Sequence, residues 1–338
     1  MKLIILVFLL FLILLLIFLV FNTFLKVRSK NHSNKFFEKI ITKTFLLKVF
    51  KPIKRGWHIH TFREDKKIAD IRINNLSKIK WFDLDFKDCS GIADPFLFKR
   101  GKEYYLFFEY EYYKNLKKGA DIAYATSTDG LNWKYQKKII TEPFHQSFPL
   151  IFEQGNNVYL LPESNVSNKV PLYVAKEFPN KWELDTVLFT GKRLVDTVLL
   201  EMDSIFYWFT TDLDTKELLL YYSKGLKNKW IEHPYSPITN DRKKIRNAGA
   251  IYKENGKMYR FSQDSNGGYG AAINMYKIEH IDTLIYKEVV VKEPLLAKSS
   301  HGIKDAIHHL SILNDEKGKL IALDGANFSL KGIKLDWK

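Results

Sequence analysis

The sequence contains one cysteine, Cys89, and this scarcity excludes two ways of stabilising a fold. A single thiol forms no disulfide within the chain and cannot supply a cysteine-based zinc site. Helical periodicity is also scarce from Trp57 onward, where short apolar strands and turns dominate. With 338 residues, of which 15% are aromatic, the chain is therefore predicted to form one large all-β domain with an appendage.

Acidic residues are outnumbered by basic ones. The 53 Lys and Arg residues against 38 Asp and Glu give a net charge of +15. Such an excess suits either an anionic lipid surface or nucleic acid. Because the basic residues are spread along the chain without a nucleic-acid-binding motif, we expect a membrane partner and no nucleic acid.

The N-terminal end lacks charge over residues 3–21, which are all apolar. Such a run can cross a hydrocarbon core of about 30 Å as a helix. The alternative is a cleaved signal peptide, whose apolar region usually has about 7–15 residues before a small-residue cleavage site. Residues 22–25 contain no such site, so residues 1–30 are predicted to form an uncleaved, single-pass transmembrane anchor.

Basic residues near the apolar run predict its orientation. Only Lys2 precedes the run, whereas five Lys and Arg residues lie between Lys26 and Lys39. This bias places the large domain on the cytoplasmic side of the membrane. Residues 31–55, in which apolar residues alternate with lysines, suit a basic amphipathic helix on the membrane surface or, alternatively, a linker helix packed on the domain.

One hairpin pattern recurs five times along the rest of the chain. Each copy has an anchor residue, an apolar strand, a short polar turn and an aromatic strand. The anchors are Asp94, Pro149, Asp196, Ala248 and His308, which are 55, 47, 52 and 60 residues apart. A second hairpin follows in most copies, which gives four strands per repeat. Residues 56–338 are therefore predicted to form a five-bladed β-propeller, closed by a strand from residues 57–60 or 333–335.

Polar residues at the ends of the inner strands are expected to converge on the propeller axis. We predict three catalytic carboxylates there: Asp94, Glu163 and Asp196. We predict five substrate-binding residues: Arg246, Gln263, Asp264, His308 and His309. Further candidates for the axis are Glu109, His145, Asp212, Asn247, Asp305 and Asp324. The alternative is that these groups satisfy backbone ends or one another, with Asp94 and Arg246 as a buried ion pair.

Metal and phosphate-loop interpretations are weaker. His301, His308 and His309 could bind a metal, but adjacent residues of a strand point to opposite faces, so only one of the last two would face the axis. Residues 266–270 are rich in glycine, but no helical pattern follows them, which favours a turn over a phosphate-binding loop. We therefore expect neither a metal nor a cofactor.

Several short motifs carry a resemblance to known families. They are Ala-Asp-Pro-Phe at 93–96, Leu-Pro-Glu-Ser at 161–164, His-Pro-Tyr-Ser-Pro at 233–237, Arg-Asn-Ala-Gly at 246–249, Gln-Asp at 263–264 with Tyr-Gly at 269–270, and His-His-Leu at 308–310. The first, with the hairpin after it, resembles the first blade of the five-bladed arabinanase- and xylosidase-type glycosidases. The whole region from Trp57 onward resembles the N-terminal propeller-like domain of glucosamine inositolphosphorylceramide transferases.

The resemblance to glycosidases implies a base carboxylate in blade 1, a supporting Asp in blade 3 and an acid Glu entering blade 4. Asp94 and Asp196 match the first two roles, whereas blade 4 opens with Arg246 and no carboxylate. An arginine suits a phosphate, which it can bind bidentately.

We therefore expect a membrane-anchored, carbohydrate-active protein of glycan or glycolipid assembly. Its activity would be of the glycosyltransferase type, with a phosphate-activated sugar donor. The resemblance to the transferases implies a sugar or glycolipid substrate. Their separate transferase domain does not follow in this sequence, so that activity does not carry over by itself. The alternatives are a glycoside hydrolase and a non-catalytic glycan-binding module that docks other glycan-assembly enzymes.

Overall fold

A computed structural model of the chain describes Leu15 and residues 50–52, 56–71, 73, 80–82, 89–112, 119–298, 303, 305–327 and 333–335. The chain divides into two compact units. In the unit that comprises Met1–Arg55 and Phe328–Lys338, strand Phe50–Pro52 pairs with Ile333–Leu335 in an antiparallel sheet. The helix predicted over residues 31–55 is therefore wrong at residues 50–52, which form a strand because they pair with a segment distant in the sequence. No helix within the described ranges is long and apolar enough to cross a membrane. Apart from Leu15, the predicted anchor lies outside the described residues.

The second unit, Gly56–Asn327, contains five antiparallel sheets, which confirms the prediction of an all-β, five-bladed propeller. In each sheet the innermost strand lies at the axis, and we number the blades in chain order. Blade 4 differs from the others because its inner strand is in two pieces, Arg246–Asn247 and Tyr252–Glu254, which both pair with Lys257–Asp264.

The strand bounds follow, from the inner to the outer edge. Blade 1 contains Cys89–Arg100, Glu103–Tyr112, Ala120–Ser127 and Lys134–Ile140. Blade 2 contains Ser147–Gln154, Asn157–Glu163, Lys169–Glu177 and Lys181–Thr190. Blade 3 contains Leu194–Met202, Ile205–Asp212, Glu217–Ser223 and Ile231–Glu232. The remaining strands of blade 4 are Ala272–Ile281 and Tyr286–Ala297. Blade 5 contains Leu310–Asp315, Gly318–Asn327, Gly56–Glu64 and Lys80–Phe82. Short 3₁₀ helices form at Ile68–Asp70 and Asn165–Ser167.

The ring is closed by a strand from the beginning of the propeller. Gly56–Glu64 pairs with Gly318–Asn327 along its whole length, so the last blade contains strands from both ends of the unit. Of the two closing strands that the sequence allowed, the one with Trp57 is therefore correct. Because this pairing joins both ends of the unit, the blades are expected to unfold together.

Aromatic side chains pack between neighbouring blades. In blade 1, the Phe107 ring lies 5.8 Å from the Tyr124 ring and 6.1 Å from the Trp182 ring of blade 2. The second strand of blade 1 is buried over most of its length because sheets cover both of its faces. The outer strand Lys134–Ile140 is mostly exposed or half-buried, and it is correspondingly rich in lysine. The high aromatic content thus fills the layers between blades.

The inner strands of blades 1, 2 and 3 share a bulge near their first residues. Asp94, Phe148 and Asp196 have φ angles of 50°, 46° and 50°, and the pairing register shifts beside each of them. The anchor predicted at Pro149 is therefore wrong by one residue, since Phe148 holds this position. A bulge leaves one residue out of the ladder and turns its backbone. Here it brings three equivalent residues to the axis with their N–H groups free for partners outside the ladder.

Candidate functional site at the propeller axis

Each bulged N–H is bound by a carboxylate of the preceding blade. The Asp94 N–H donates to Asp324 Oδ2 at 3.1 Å, and the Phe148 N–H donates to Asp94 Oδ2 at 3.1 Å. The Asp196 N–H donates to Glu163 Oε2 at 3.3 Å. Acidic side chains therefore join blade 5 to blade 1, blade 1 to blade 2 and blade 2 to blade 3 around the axis.

Blade 4 contributes a cation to this ring. Arg246 donates to Asp196 through Nε to Oδ2 at 2.5 Å and through Nη2 to Oδ1 at 3.0 Å. The Asn247 side chain donates to the Asp196 carbonyl at 2.8 Å. The alternative of an ion pair between Asp94 and Arg246 is therefore wrong, because the bulge of blade 3 presents Asp196 to Arg246. No residue of the described part accepts a hydrogen bond from Arg246 Nη1, and the arginine side chain remains 21% exposed.

Blade 5 contributes both histidines and Asp324. The His308 and His309 N–H groups donate to Asp324 Oδ1 at 3.1 and 2.9 Å. His308 Nδ1 lies 2.6 Å from Asp324 Oδ2, and His308 Nε2 and His309 Nδ1 lie 3.6 and 3.5 Å from Asp94 Oδ1. The expectation that only one histidine faces the axis is wrong. Both precede the strand Leu310–Asp315, so the alternation of a pleated strand does not apply to them.

Burial raises the pKa values of several carboxyl groups at the axis. Burial raises the pKa of Asp94 to about 7, an effect that His308 opposes and that the charges of Asp324 and Asp196 reinforce. Burial, followed by the charge of Asp196, raises the pKa of Glu163 to about 7. A carboxylic acid in this range can donate a proton in one step and accept it in another.

Glu109 adds a third acid with a perturbed pKa. Burial, with the neighbouring charges of Glu111 and Asp94, raises the pKa of Glu109 well above its usual range. Its Oε1 lies 3.4 Å from Nε2 of His145, which is itself half-buried. The sequence had placed both residues near the axis as further candidates.

The pKa values of the two histidines are shifted in opposite directions. Although burial lowers it, the Asp324 carboxylate raises the net pKa of His308 above its ordinary value, with a smaller contribution from Asp94. Burial lowers the pKa of His309 to about 3, so this ring is neutral at physiological pH. Arg246 is therefore the permanent cation of the cluster, and His308 is the histidine whose charged form its neighbours favour.

An aromatic wall borders the cluster, and sequence reasoning missed it. The Trp57 ring stacks on His308 with centroids 4.1 Å apart and planes 22° apart. The Tyr269 ring meets His308 edge-on at 5.1 Å, and the Arg246 guanidinium lies 5.5 Å from the Tyr269 ring centre. Tyr269 belongs to the glycine-rich segment 266–270, which forms a turn between strands. An aromatic residue in a glycine-rich turn at this face was the signal that could have found it.

Gln263 and Asp264 have other surroundings. Gln263 pairs with Arg246 in the ladder, is buried, and donates through Nε2 to the Asn247 carbonyl at 2.9 Å. Asp264 Oδ1 accepts from the Asn266 N–H at 2.9 Å and so stabilises the following turn. The structure thus gathers Asp94, Glu163, Asp196, Arg246, His308 and His309 at the axis, with Gln263 beside Arg246. Asp264 holds a turn.

Asp94, His308 and Asp324 also have the donor set of a metal site. One possible ligand atom of each lies within 4.8 Å of the other two. Asp94 Oδ2 and both oxygens of Asp324 accept backbone N–H groups, whereas Asp94 Oδ1 has histidine nitrogens at 3.5 and 3.6 Å. His301, the third predicted candidate, lies outside the described residues.

Comparison with protein families gives one match that covers most of the propeller. The family described as glucosamine inositolphosphorylceramide transferase 1, N-terminal, matches residues 83–326. Glucosamine inositolphosphorylceramide transferase 1 of Oryza sativa subsp. japonica is 35% identical over 209 residues, which are 59% of this chain and 28% of the relative. The protein of the same name from Arabidopsis thaliana is 32% identical over 246 residues, 69% of this chain and 32% of the relative. The chain thus spans about a third of these relatives.

Two solved structures of similar fold are glycosidases. The catalytic domain of the Coprinopsis cinerea GH62 α-L-arabinofuranosidase superposes with a TM-score of 0.54 and 12% identity, over 73% of this chain and 94% of that one. A family 117 glycoside hydrolase of Zobellia galactanivorans superposes with a TM-score of 0.51 and 14% identity, over 75% of this chain and 90% of that one. At these identities the likeness concerns the fold alone, and it agrees with the propeller predicted from the repeats.

Proposed function

Since the chain belongs to the family defined by the N-terminal region of glucosamine inositolphosphorylceramide transferase 1, we propose that it acts in glycolipid assembly and that its axial cluster binds a phosphate-bearing sugar. The names of the relatives supply the substrate class: an amino sugar and a phosphate-linked inositol lipid. Asp94, Glu163 and Asp196 are the proposed catalytic or orienting carboxyls, and Arg246 is the proposed phosphate ligand.

The observation that carries this proposal is the position of Arg246. Asp196 holds Nε and one Nη2 hydrogen, so the guanidinium is fixed while Nη1 has no acceptor among the described residues. A fixed, partly exposed guanidinium edge suits a phosphate oxygen, since arginine binds phosphate through paired N–H donors. A fourth-blade arginine also distinguishes this axis from the arrangement expected of the glycosidases.

The carboxyl groups around Arg246 would repel a phosphate if all of them were ionised. Asp94 and Glu163 both have pKa values of about 7, so each is protonated in a large fraction of molecules near neutral pH. A protonated carboxyl removes the repulsion and becomes a hydrogen-bond donor. The cluster is therefore compatible with a phosphate at the pH where one or both acids keep their protons.

The proposed reaction is transfer of a sugar from a phosphate leaving group to a hydroxyl acceptor. The bond between the anomeric carbon and the phosphate oxygen breaks, and the acceptor oxygen bonds to that carbon. The acceptor proton passes to ionised Asp94, while the phosphate leaves with the bonding electron pair beside Arg246. A base within hydrogen-bond reach of the acceptor typically contributes about 10²- to 10⁴-fold in rate.

Two alternatives have support of their own. Asp94 and Asp196 occupy equivalent bulges in blades 1 and 3, which suits the base and supporting residue of a glycoside hydrolase, although blade 4 offers Arg246 where the acid is expected. The chain matches about a third of the named transferases, which suits a glycan-binding module that docks a partner enzyme. Release of sugar from aryl glycosides would support the first, and binding without turnover would support the second.

The proposed location is a membrane. Residues 3–21 would anchor the chain, residues 31–55 would lie on the lipid surface, and the propeller would face the cytoplasm. Protease added to intact cells should then leave the propeller uncut, whereas permeabilised cells should lose it. Digestion from outside intact cells would reverse the orientation.

Calorimetric titration of the full chain tests the proposed function. Glucose 1-phosphate and glucosamine 1-phosphate are the probes, with the free sugars and inorganic phosphate for comparison. Removal of a charge-assisted contact of about 1.5–3 kcal/mol predicts that Arg246→Gln weakens sugar phosphate binding about 10- to 150-fold. Arg193→Gln, at an exposed arginine that pairs with Asp214, is the control and should bind as the wild type does. No binding of either sugar phosphate, or equal binding by Arg246→Gln, would overturn the proposal.

A further inference from the structure

Tyr269 lies at the edge of the axial cluster with half of its surface exposed. Tyr269 is 50% exposed. The centroid of its ring lies 6.0 Å from that of Trp57 and 5.1 Å from that of His308. The Arg246 guanidinium lies 5.5 Å from the ring centre. Tyr269 therefore contacts the cation proposed for the phosphate and also faces solvent.

The hydroxyl of Tyr269 has no hydrogen-bond acceptor in the part of the chain that the structure describes. No hydrogen bond to this hydroxyl is formed by any residue within the described ranges. Desolvation raises the pKa of Tyr269 well above its ordinary value, an effect that Arg246 opposes and that the charges of Asp94 and Asp196 reinforce. The hydroxyl thus keeps its proton. Because Tyr269 is half-exposed, its hydroxyl is accessible and can donate to a ligand that binds at the axis.

The backbone around Tyr269 fixes the position of its ring. Gly270 has a φ of 71°, and a Cβ there would lie 2.7 Å from the Ala306 Cβ and 3.2 Å from the Trp57 ring. The Ile307 N–H donates to the Gly270 carbonyl at 2.8 Å, which ties the turn to blade 5. Only a glycine allows this close approach without displacement of the neighbours. The tightly packed turn at Gly270 therefore fixes the backbone that presents Tyr269 to solvent.

We propose that Tyr269 contacts the substrate directly: its exposed ring packs against the sugar ring, and its hydroxyl donates to an oxygen of the phosphate or sugar bound at Arg246. This inference rests on the proposed function and adds the residue that recognises the sugar part of the substrate. A pyranose has C–H faces that pack on an aromatic ring and a hydroxyl edge that hydrogen-bonds, which matches an aromatic wall beside charged donors. Inorganic phosphate can form hydrogen bonds, but it has no C–H face that could pack on the ring.

Two variants separate the ring from the hydroxyl. Tyr269→Phe removes the donor and keeps the ring, and Tyr269→Ala removes both. The matched controls are Tyr235→Phe and Tyr235→Ala, because Tyr235 is 51% exposed and its ring lies beside His233, 6.1 Å away. The full chain is titrated with glucosamine 1-phosphate, glucose 1-phosphate and inorganic phosphate, and thermal melting of each variant checks the fold.

We expect Tyr269→Phe to weaken sugar phosphate binding about 2- to 12-fold, the equivalent of one hydrogen bond. Tyr269→Ala should weaken it at least about 10-fold and should also reduce the preference for sugar phosphate over inorganic phosphate, since the ring area is lost. A purely structural tyrosine would leave that preference unchanged. The Tyr235 variants should stay within about 2-fold of the wild type.

The titrations distinguish failure of this inference from failure of the proposed function. If the wild type binds a sugar phosphate and both Tyr269 variants bind it equally well, the inference is overturned and the proposed function stands. If the wild type binds no sugar phosphate, both are overturned. If Tyr269→Ala does not fold, Tyr269→Phe decides, because it keeps the ring that packs on Trp57 and His308.

Discussion

Arg246 and Asp196 bridge blades 4 and 3 through two parallel hydrogen bonds, at 2.5 and 3.0 Å, beside the propeller axis. Asp196 is almost fully buried, whereas Arg246 reaches the surface at the mouth of the cluster. The pair is therefore a structural contact at one end and an available guanidinium edge at the other. Substitution of Asp196 tests the structural contact, and substitution of Arg246 tests the guanidinium edge.

Asp196→Asn should destabilise the propeller by about 3–5 kcal/mol, because it leaves the Arg246 charge without its buried partner. Arg246→Lys should cost less, since the charge remains while the two-point geometry is lost. Urea unfolding measures both. Asp185→Asn is the control, because Asp185 pairs with Lys227 at 2.6 Å on the surface and such pairs contribute about 0–1 kcal/mol. Equal losses of unfolding free energy in Asp196→Asn and Asp185→Asn would show that the axial pair stabilises the fold no more than a surface pair does.

Asp94→Asn should reduce turnover or ligand affinity while the melting temperature changes little. An asparagine oxygen can still accept from the Phe148 N–H, so the link between blades 1 and 2 is preserved. The change removes a group with a pKa of about 7, which the proposed transfer uses as its base. The measurements are thermal melting and the rate of sugar transfer. A large loss of stability with unchanged ligand binding would make Asp94 a structural residue.

Glu163 should make the protein less stable as the pH rises. Its folded pKa of about 7 exceeds the ordinary value of about 4.3, so the folded state binds more protons between these values. The stabilisation is thus complete below about pH 4 and is lost as the pH rises through about 7. Urea unfolding from pH 5 to 8 should show a weaker decline in Glu163→Gln than in the wild type. Glu201→Gln, at an exposed carboxylate of blade 3, should follow the wild-type curve. A parallel curve for Glu163→Gln would exclude this role.

Gly270→Ala should destabilise the chain and displace Tyr269. Gly256 has the same φ of 71°, and a Cβ added there would have no atom within 4 Å, whereas at Gly270 the Cβ would lie 2.7 Å from Ala306. Gly256→Ala thus carries only the cost of the left-handed backbone, about 1–2 kcal/mol. The excess cost in Gly270→Ala measures the crowding. Equal stability and equal sugar phosphate affinity in the two variants would contradict the fixed turn.

The blades could be predicted from the sequence because hairpins are local. Strands such as Ile205–Asp212 show an apolar, aromatic run between turn residues, and these runs recur at a regular spacing. The closing strand could not be chosen from two candidates, since Gly56 pairs with Asn327 across the whole length of the propeller. Nothing local in either segment indicates that pairing. The apolar run at residues 3–21 stays a prediction.

The axial residues were predictable as a set but their partners were not. Asp94 and Asp196 are visible in the sequence because a carboxylate at the start of an apolar strand is hard to explain as core. Phe148 holds the same bulge in blade 2, but an apolar residue there looks like the strand itself. The partner of Arg246 depends on which bulge faces it. His308 and Tyr269 meet only because a turn of blade 4 reaches blade 5.

The links between bulges and carboxylates make the blades of this propeller unequal modules. Asp324 serves blade 1, Asp94 serves blade 2 and Glu163 serves blade 3, so each of these acids is matched to one neighbour. A blade that was deleted, duplicated or exchanged would separate an acid from its N–H group on both sides of the change. Circular permutation preserves every such neighbour, whereas shuffling of blades does not. The axis thus requires a fixed order of blades, independent of where the chain starts.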